Sequence, residues 1–231
     1  MKKIILSVIA ISVLLSCGGN GKDTLTVNGE IKNLKKGTLY LQKVIDTLVV
    51  SVDSITLDGK NTFSLSDKVE SPELYYLTLD KSPEKSIPFF GEPGTVTINT
   101  RLDKFVFSAV INGLKNQQLL DEYNKMIGQY SGKRLDLVKA DFEAKRNKDS
   151  IKVDSIANAI NSLIKSKYRY TANFIITHPD NEVAPYLALT EFYDANIKWL
   201  DSVNNSLTPR IKESKYGKQL QEYIAEVKSK Q

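Results

Sequence analysis

The chain contains one cysteine, Cys17, and one histidine, His178, so any thiolate or imidazole chemistry must run through these two residues. A serine triad, a cysteine dyad or an imidazole metal site would need His178, and a tetrahedral nitrogen and sulfur site built on it alone would be three ligands short. His178 precedes Pro179, where a helix ends and a ring ordinarily caps backbone carbonyls or faces water. The chain has no Gly-x-Ser-x-Gly elbow, no glycine-rich phosphate loop ahead of a helix and no calcium loop. Paired carboxylates can converge from anywhere in a chain. Asp53 and Glu92 read as hydrogen-bond acceptors at turns or strand ends. Tyr75, Tyr76, Phe89, Phe90 and Trp199 are the candidates for a stacking platform. The expectation is a protein with no catalytic residues, no metal and no cofactor, whose ligand-binding residues are unknown.

Cys17 has a different prospect. Lys2 and Lys3 open the chain, Ile4 to Leu15 form an apolar run broken only by Ser and Ala, and Leu14-Leu15-Ser16 leads directly into the cysteine. The run is well short of the roughly 20 residues that span a bilayer, and it ends at a small residue as a cleavage site does. Residues 1–16 therefore read as a signal peptide of the lipoprotein kind, cut before a Cys17 that carries lipid on its sulfur, with residues 17–23 as a glycine-rich tether. Two acyl chains at about 0.8 kcal/mol per buried methylene anchor a protein stably. The implied partner is a membrane, and the implied location is the cell envelope, lipid-anchored at the outer membrane and facing the periplasm. With that sulfur acylated, no thiol is left for a disulfide or a redox pair.

Any site must be positioned by two contrasting halves. From Thr24 the apolar residues recur with period two: Leu25, Val27 and Ile31, then Leu39 and Leu41, then Leu48, Val50 and Val52. Asp58-Gly59-Lys60-Asn61 and Glu92-Pro93-Gly94 carry hairpin-turn chemistry, Leu74 to Leu79 suits a central strand, and Phe105, Phe107, Ala109 and Ile111 alternate once more. Near Gly113 the period becomes helical, with interruptions expected at Gly128 and Ser131-Gly132, and with Gly217 separating Thr208-Pro209 from a last helix. The fold class is α+β: an N-terminal antiparallel β-sandwich or barrel over residues 24–112, then a C-terminal α-helical bundle over residues 113–231. The net charge of +5 is mild and interspersed with acids, with no concentrated basic face of the kind that tracks phosphates, so nucleic acid is not an expected partner.

The segments Gly29-Glu30-Ile31-Lys32-Asn33-Leu34, Thr38-Leu39-Tyr40-Leu41, Asp53-Ser54, Pro72-Glu73-Leu74-Tyr75 and Ile87-Pro88-Phe89-Phe90, with Phe63, Glu92 and Gly94, carry a resemblance. So do His178-Pro179-Asp180-Asn181, Val183-Ala184 and Ser214-Lys215-Tyr216-Gly217. Together they resemble the uncharacterised N-terminal domain and helical linker of Bacteroidetes thiol:disulfide interchange lipoproteins. In those proteins a thioredoxin-like domain with Cys-x-x-Cys follows the helices. Residues 1–231 contain no such motif, and thiol exchange needs an attacking thiolate, so the family's redox activity is not carried over. The expected function is non-enzymatic binding or scaffolding in the envelope, docking a protein partner. The alternatives are a carbohydrate or peptide ligand-binding module and an accessory to thiol redox proteins.

Overall fold

A computed structural model describes residues 22–230. The predicted signal peptide, Cys17 and most of the tether lie outside the described residues. Among the described residues, eight strands form two four-stranded sheets, followed by six α-helices. One sheet has the order β4-β1-β7-β8, with β1 Thr24–Lys32, β4 Thr62–Lys68, β7 Gly94–Arg101 and β8 Val110–Asn112. The other has the order β3-β2-β5-β6, with β2 Lys36–Ile45, β3 Leu48–Asp58, β5 Glu73–Leu79 and β6 Ser86–Gly91. The expected α+β sandwich is what the chain forms, and its pairings are antiparallel except for β1 with β7, which run parallel. Leu25, Val27, Leu39, Leu41, Tyr75, Leu77, Phe89, Val96 and Ile98 meet between the sheets with no side-chain exposure. Gly29 permits a close approach inside the first sheet: a Cβ there would lie 1.8 Å from the Ile98 carbonyl oxygen and 2.8 Å from the Phe63 ring.

Several local expectations are corrected. The Asp58–Asn61 and Glu92–Gly94 turns reverse the chain but join different sheets: β3 and β4 do not pair, nor do β6 and β7. A turn sequence encodes reversal, whereas the choice between the adjacent strand and the opposite sheet depends on which face finds a partner. The alternation from Phe105 to Ile111 condenses to the three-residue β8, because Thr100 donates its hydroxyl to the Phe105 carbonyl (2.6 Å) and Ser108 folds back on Lys104 O (2.9 Å), closing a compact turn.

α1 (Lys115–Arg146) runs unbroken through Gly128 and Gly132, which face open space, so the expected interruption is absent. Lys148, in the left-handed region at φ 57°, turns the chain into α2 (Ser150–Thr177), and the Asp149 carboxylate caps it by accepting from Lys152 N. α3 (Val183–Glu191) and α4 (Ile197–Ser206) pack against the base of this long pair, and α6 (Lys215–Ser229) packs on α3 and α4 with the single turn α5 (Pro209–Lys212) beside it. Gly217 lies inside the first turn of α6 instead of ahead of it, since a Cβ there would meet Ile211 O at 1.9 Å.

Sandwich and helices share a buried seam. Phe90 and Leu74, both in the second sheet, belong to the helical core with Leu119, Tyr123, Phe174 and Leu187. Neither α1 nor α3 is capped by its own N-cap side chain. Glu92 Oε1 accepts from Asn116 N (3.0 Å) in the first turn of α1, and Asn116 Oδ1 accepts from Val183 N (2.9 Å) at the start of α3. The Asn116 amide also donates to Glu92 Oε2 (2.6 Å) and Glu182 Oε2 (2.9 Å). On the unpaired side of the edge strand β6, Phe90 N donates to Gln117 Oε1 at 2.6 Å, so a side chain covers an edge that water or another chain would otherwise take.

Candidate functional site

Tyr168, Arg169 and Ala172 on α2, with Ile164 and Lys165 one turn earlier, recur at three- and four-residue spacing and so share one face of that helix. Opposite them, Phe192 ends α3 and Ala195 N returns to Phe192 O (3.1 Å). Asn196 then starts α4 by accepting from Lys198 N (2.9 Å), which sets Trp199 in the first turn. Between the two walls lies a cleft of about 490 Å³, largely apolar in lining. Trp199, 51% exposed, forms part of its wall with Phe192, while Ile164 and Ala172 supply aliphatic surface.

Its polar groups converge from both walls. The Tyr168 hydroxyl donates to the Asp194 carboxylate, and its ring packs on Phe192 at 5.6 Å. That hydrogen bond, with a smaller share from burial, pushes the Tyr168 hydroxyl up to about 12, so it is a donor at every physiological pH. Lys165 and Arg169 add two cations. The lining includes no serine, cysteine or histidine. An aromatic wall with flanking donors, acceptors and cations suits stacking and hydrogen bonding.

A second exposed surface lies along the far half of the α1–α2 pair, beyond the helices that cover its base. Leu135, Val138 and Phe142 recur at i, i+3 and i+7 on α1 and are exposed, as is Ile151 near the start of α2. The seam between the two helices is made by other residues, among them Tyr123, Ala144 and Ile156.

The residues singled out in the sequence are distributed elsewhere. His178 caps α2: its Nδ1 donates to Phe174 O (2.7 Å) and its ring rests on Phe174 at 4.4 Å. Asp53 accepts from its neighbour Ser54 N and from Ser66 N, both at 2.8 Å, stapling β3 to β4 across the sandwich, and Glu92 caps α1 as described. Among the described residues no three His, Cys, Asp or Glu side chains converge as a metal site. The strand aromatics form no exposed strip. Tyr75 and Phe89 stack inside the sandwich at 5.9 Å, Phe90 is buried against the helices and Tyr76 is half-buried. Burial, reinforced by the Asp67 carboxylate that accepts its proton, drives the Tyr75 hydroxyl far above the ordinary tyrosine range. Trp199 is the one residue of that early set in the cleft. Its neighbours came from a helical face and a connection that no single motif marks.

Residues 25–120 match a family described as a domain of unknown function, DUF4369. The match reaches into α1 beyond Asn116 and Gln117, two of the residues that fasten the helices to the sandwich. No curated protein matches the chain. A solved structure titled pT26-6p aligns with 84% of this chain and 42% of its own length at 13% identity and a TM-score of 0.24, so the chain spans less than half of it and the likeness carries no weight. No described helix is long and apolar enough to cross a membrane.

Proposed function

We propose that this is a lipid-anchored envelope protein that binds and does not catalyse, held to the outer membrane through Cys17 and docking a periplasmic protein on its helical region. The observation that carries the reading is the uncovered row Leu135, Val138 and Phe142, with Ile151 at the same end of the helix pair. Helices that only spaced the sandwich from water would present polar side chains there, and exposed apolar rows rimmed by charge mark interaction surfaces. The relation to thiol:disulfide interchange lipoproteins belongs to this proposal and makes an envelope thiol redox protein the partner class to try first. A photo-crosslinker placed at Lys139, between Val138 and Phe142, should yield one defined adduct in intact cells. That adduct should be lost when Leu135 and Phe142 are both replaced by Glu. The absence of any adduct, or one indifferent to those substitutions, would overturn the docking reading.

The Trp199 cleft favours a second reading, a carbohydrate or peptide ligand held beside Tyr168 and Arg169. Trp199 is the only tryptophan, so its fluorescence reports on this cleft alone. Saturable quenching by soluble oligosaccharides or peptides, with the Lys139 adduct absent, would move the function there.

A further inference from the structure

The ribbon formed by the ends of β2 and β3 reaches beyond the sandwich. Pairing of β2 with β5 stops at Lys43 with Tyr75, while β2 and β3 continue together through Val44 with Val49 to Ile45 with Leu48. The level at which the sandwich ends is set by Lys43, whose ammonium bonds Asp67 (2.7 Å), the partner of Leu25 at the start of β1. The loop at Asp46 and Thr47 therefore stands about 10 Å past the start of β1, at three residues of strand rise. Ile45 (45% exposed) and Leu48 (69%) continue the inward row of Leu39 and Leu41 past the sheet that would have covered it, and Val49 (62%) adds to the apolar surface.

This is also the end at which the chain arrives from Cys17. Seven Cα steps separate Cys17 from Thr24, a reach of at most about 25 Å. An acyl anchor on Cys17 would keep this end of the sandwich, and not the Phe107 end, close to the bilayer. We infer that the Ile45–Val49 ribbon is a second membrane contact, dipping into the boundary between headgroups and acyl chains and fixing the orientation of the sandwich; the inference rests on the lipid anchor proposed above. A lipid surface fits better than a protein groove because the apolar groups cap a narrow tip instead of lining a face. Asp46 at the loop keeps the tip from passing deeper than that boundary. The cations at the ribbon's root, Lys43 and Lys215, are already paired with Asp67 and Glu73, so the contact depends on apolar burial and not on anionic lipid.

The test uses full-length protein with Cys17 intact, carrying either Thr47→Cys or, as a control near the opposite end, Lys104→Cys beside the exposed Phe107. Each is labelled with an environment-sensitive dye and reconstituted in phosphatidylethanolamine–phosphatidylglycerol vesicles. Incorporation of an alkyne fatty acid at Cys17 is measured separately on the same preparations. The expected result is a shift to shorter wavelength and quenching by doxyl-labelled lipid at position 47 but not 104. Both should be insensitive to salt, and quenching should fall several-fold when Leu48 and Val49 become Glu. Equal, unquenched signals at 47 and 104 on acylated protein would overturn the ribbon contact and leave the anchor standing. Absent fatty-acid incorporation would overturn both. Quenching that survives the Leu48→Glu, Val49→Glu change would show mere proximity. A shift that grows with protein concentration without lipid quenching would assign the tip to a second copy; either result overturns the contact.

Discussion

In β4 and β7 buried residues alternate with outward ones, Phe63 and Leu65 in the first, Val96, Ile98 and Thr100 in the second. In β5 and β6 the alternation fails: Leu77, Thr78 and Leu79 are consecutively buried, and so are Phe89, Phe90 and Gly91. The two pairs of strands belong to opposite sheets, and the difference lies in what covers their outer faces. The first sheet turns its outer face to water. Part of the second sheet's outer face meets helices through Leu74 and Phe90. A strand covered on both sides loses its period-two signature, so the break at Phe90 in β6 marks the seam, whereas Thr78 in β5 is buried beside Ser86 (2.9 Å) away from the helices.

If the seam makes the second sheet different, the largest effect should come from Phe90→Ala. Phe90 has no exposed surface and contacts Tyr186 and Tyr216 at 5.7 and 6.0 Å. Its truncation should cost about 3–5 kcal/mol in denaturant unfolding. Thr95→Ala on the outer face of the first sheet should stay within about 0.5 kcal/mol. Equal costs at the two positions would erase the contrast.

Asn116→Ala should come next. It removes the donor shared by Glu92 and Glu182 and the cap of Val183 N, at a cost of roughly 3 kcal/mol. Asn116→Asp, although nearly the same shape, should be no milder at neutral pH, because it would bring a third carboxylate against two. A melting temperature for Asn116→Asp close to that of the unaltered protein would show that the amide's hydrogen bonds do not hold the seam.

Tyr168→Phe, far from the seam, should have the smallest effect and a definite pH signature. Since the folded protein raises this hydroxyl to about 12 from an ordinary value near 10, its contribution is fully present below pH 10 and is lost as pH rises through 12. The stability difference between the two proteins should therefore be small and flat from pH 6 to 9, then vanish on the alkaline side. A difference that grew with alkalinity would place the Tyr168–Asp194 bond elsewhere.

The fold is legible in the sequence where a pattern is local. Leu25, Val27, Leu39 and Leu41 declare themselves as one buried face, the helical period announces α1 and α2, and Pro179 closes α2 at Thr177. Each follows from backbone geometry that repeats within a few residues. The tertiary structure alone decided that the turns at Gly59 and Gly94 cross between sheets, that β1 lies parallel to β7, and that Glu92 and Asn116 cap helices distant from them in the chain. It also decided that the open cleft is built around Trp199 while Phe90 is buried. These outcomes depend on which surfaces meet once the elements exist, a choice made by burial summed over both partners and written in neither segment alone.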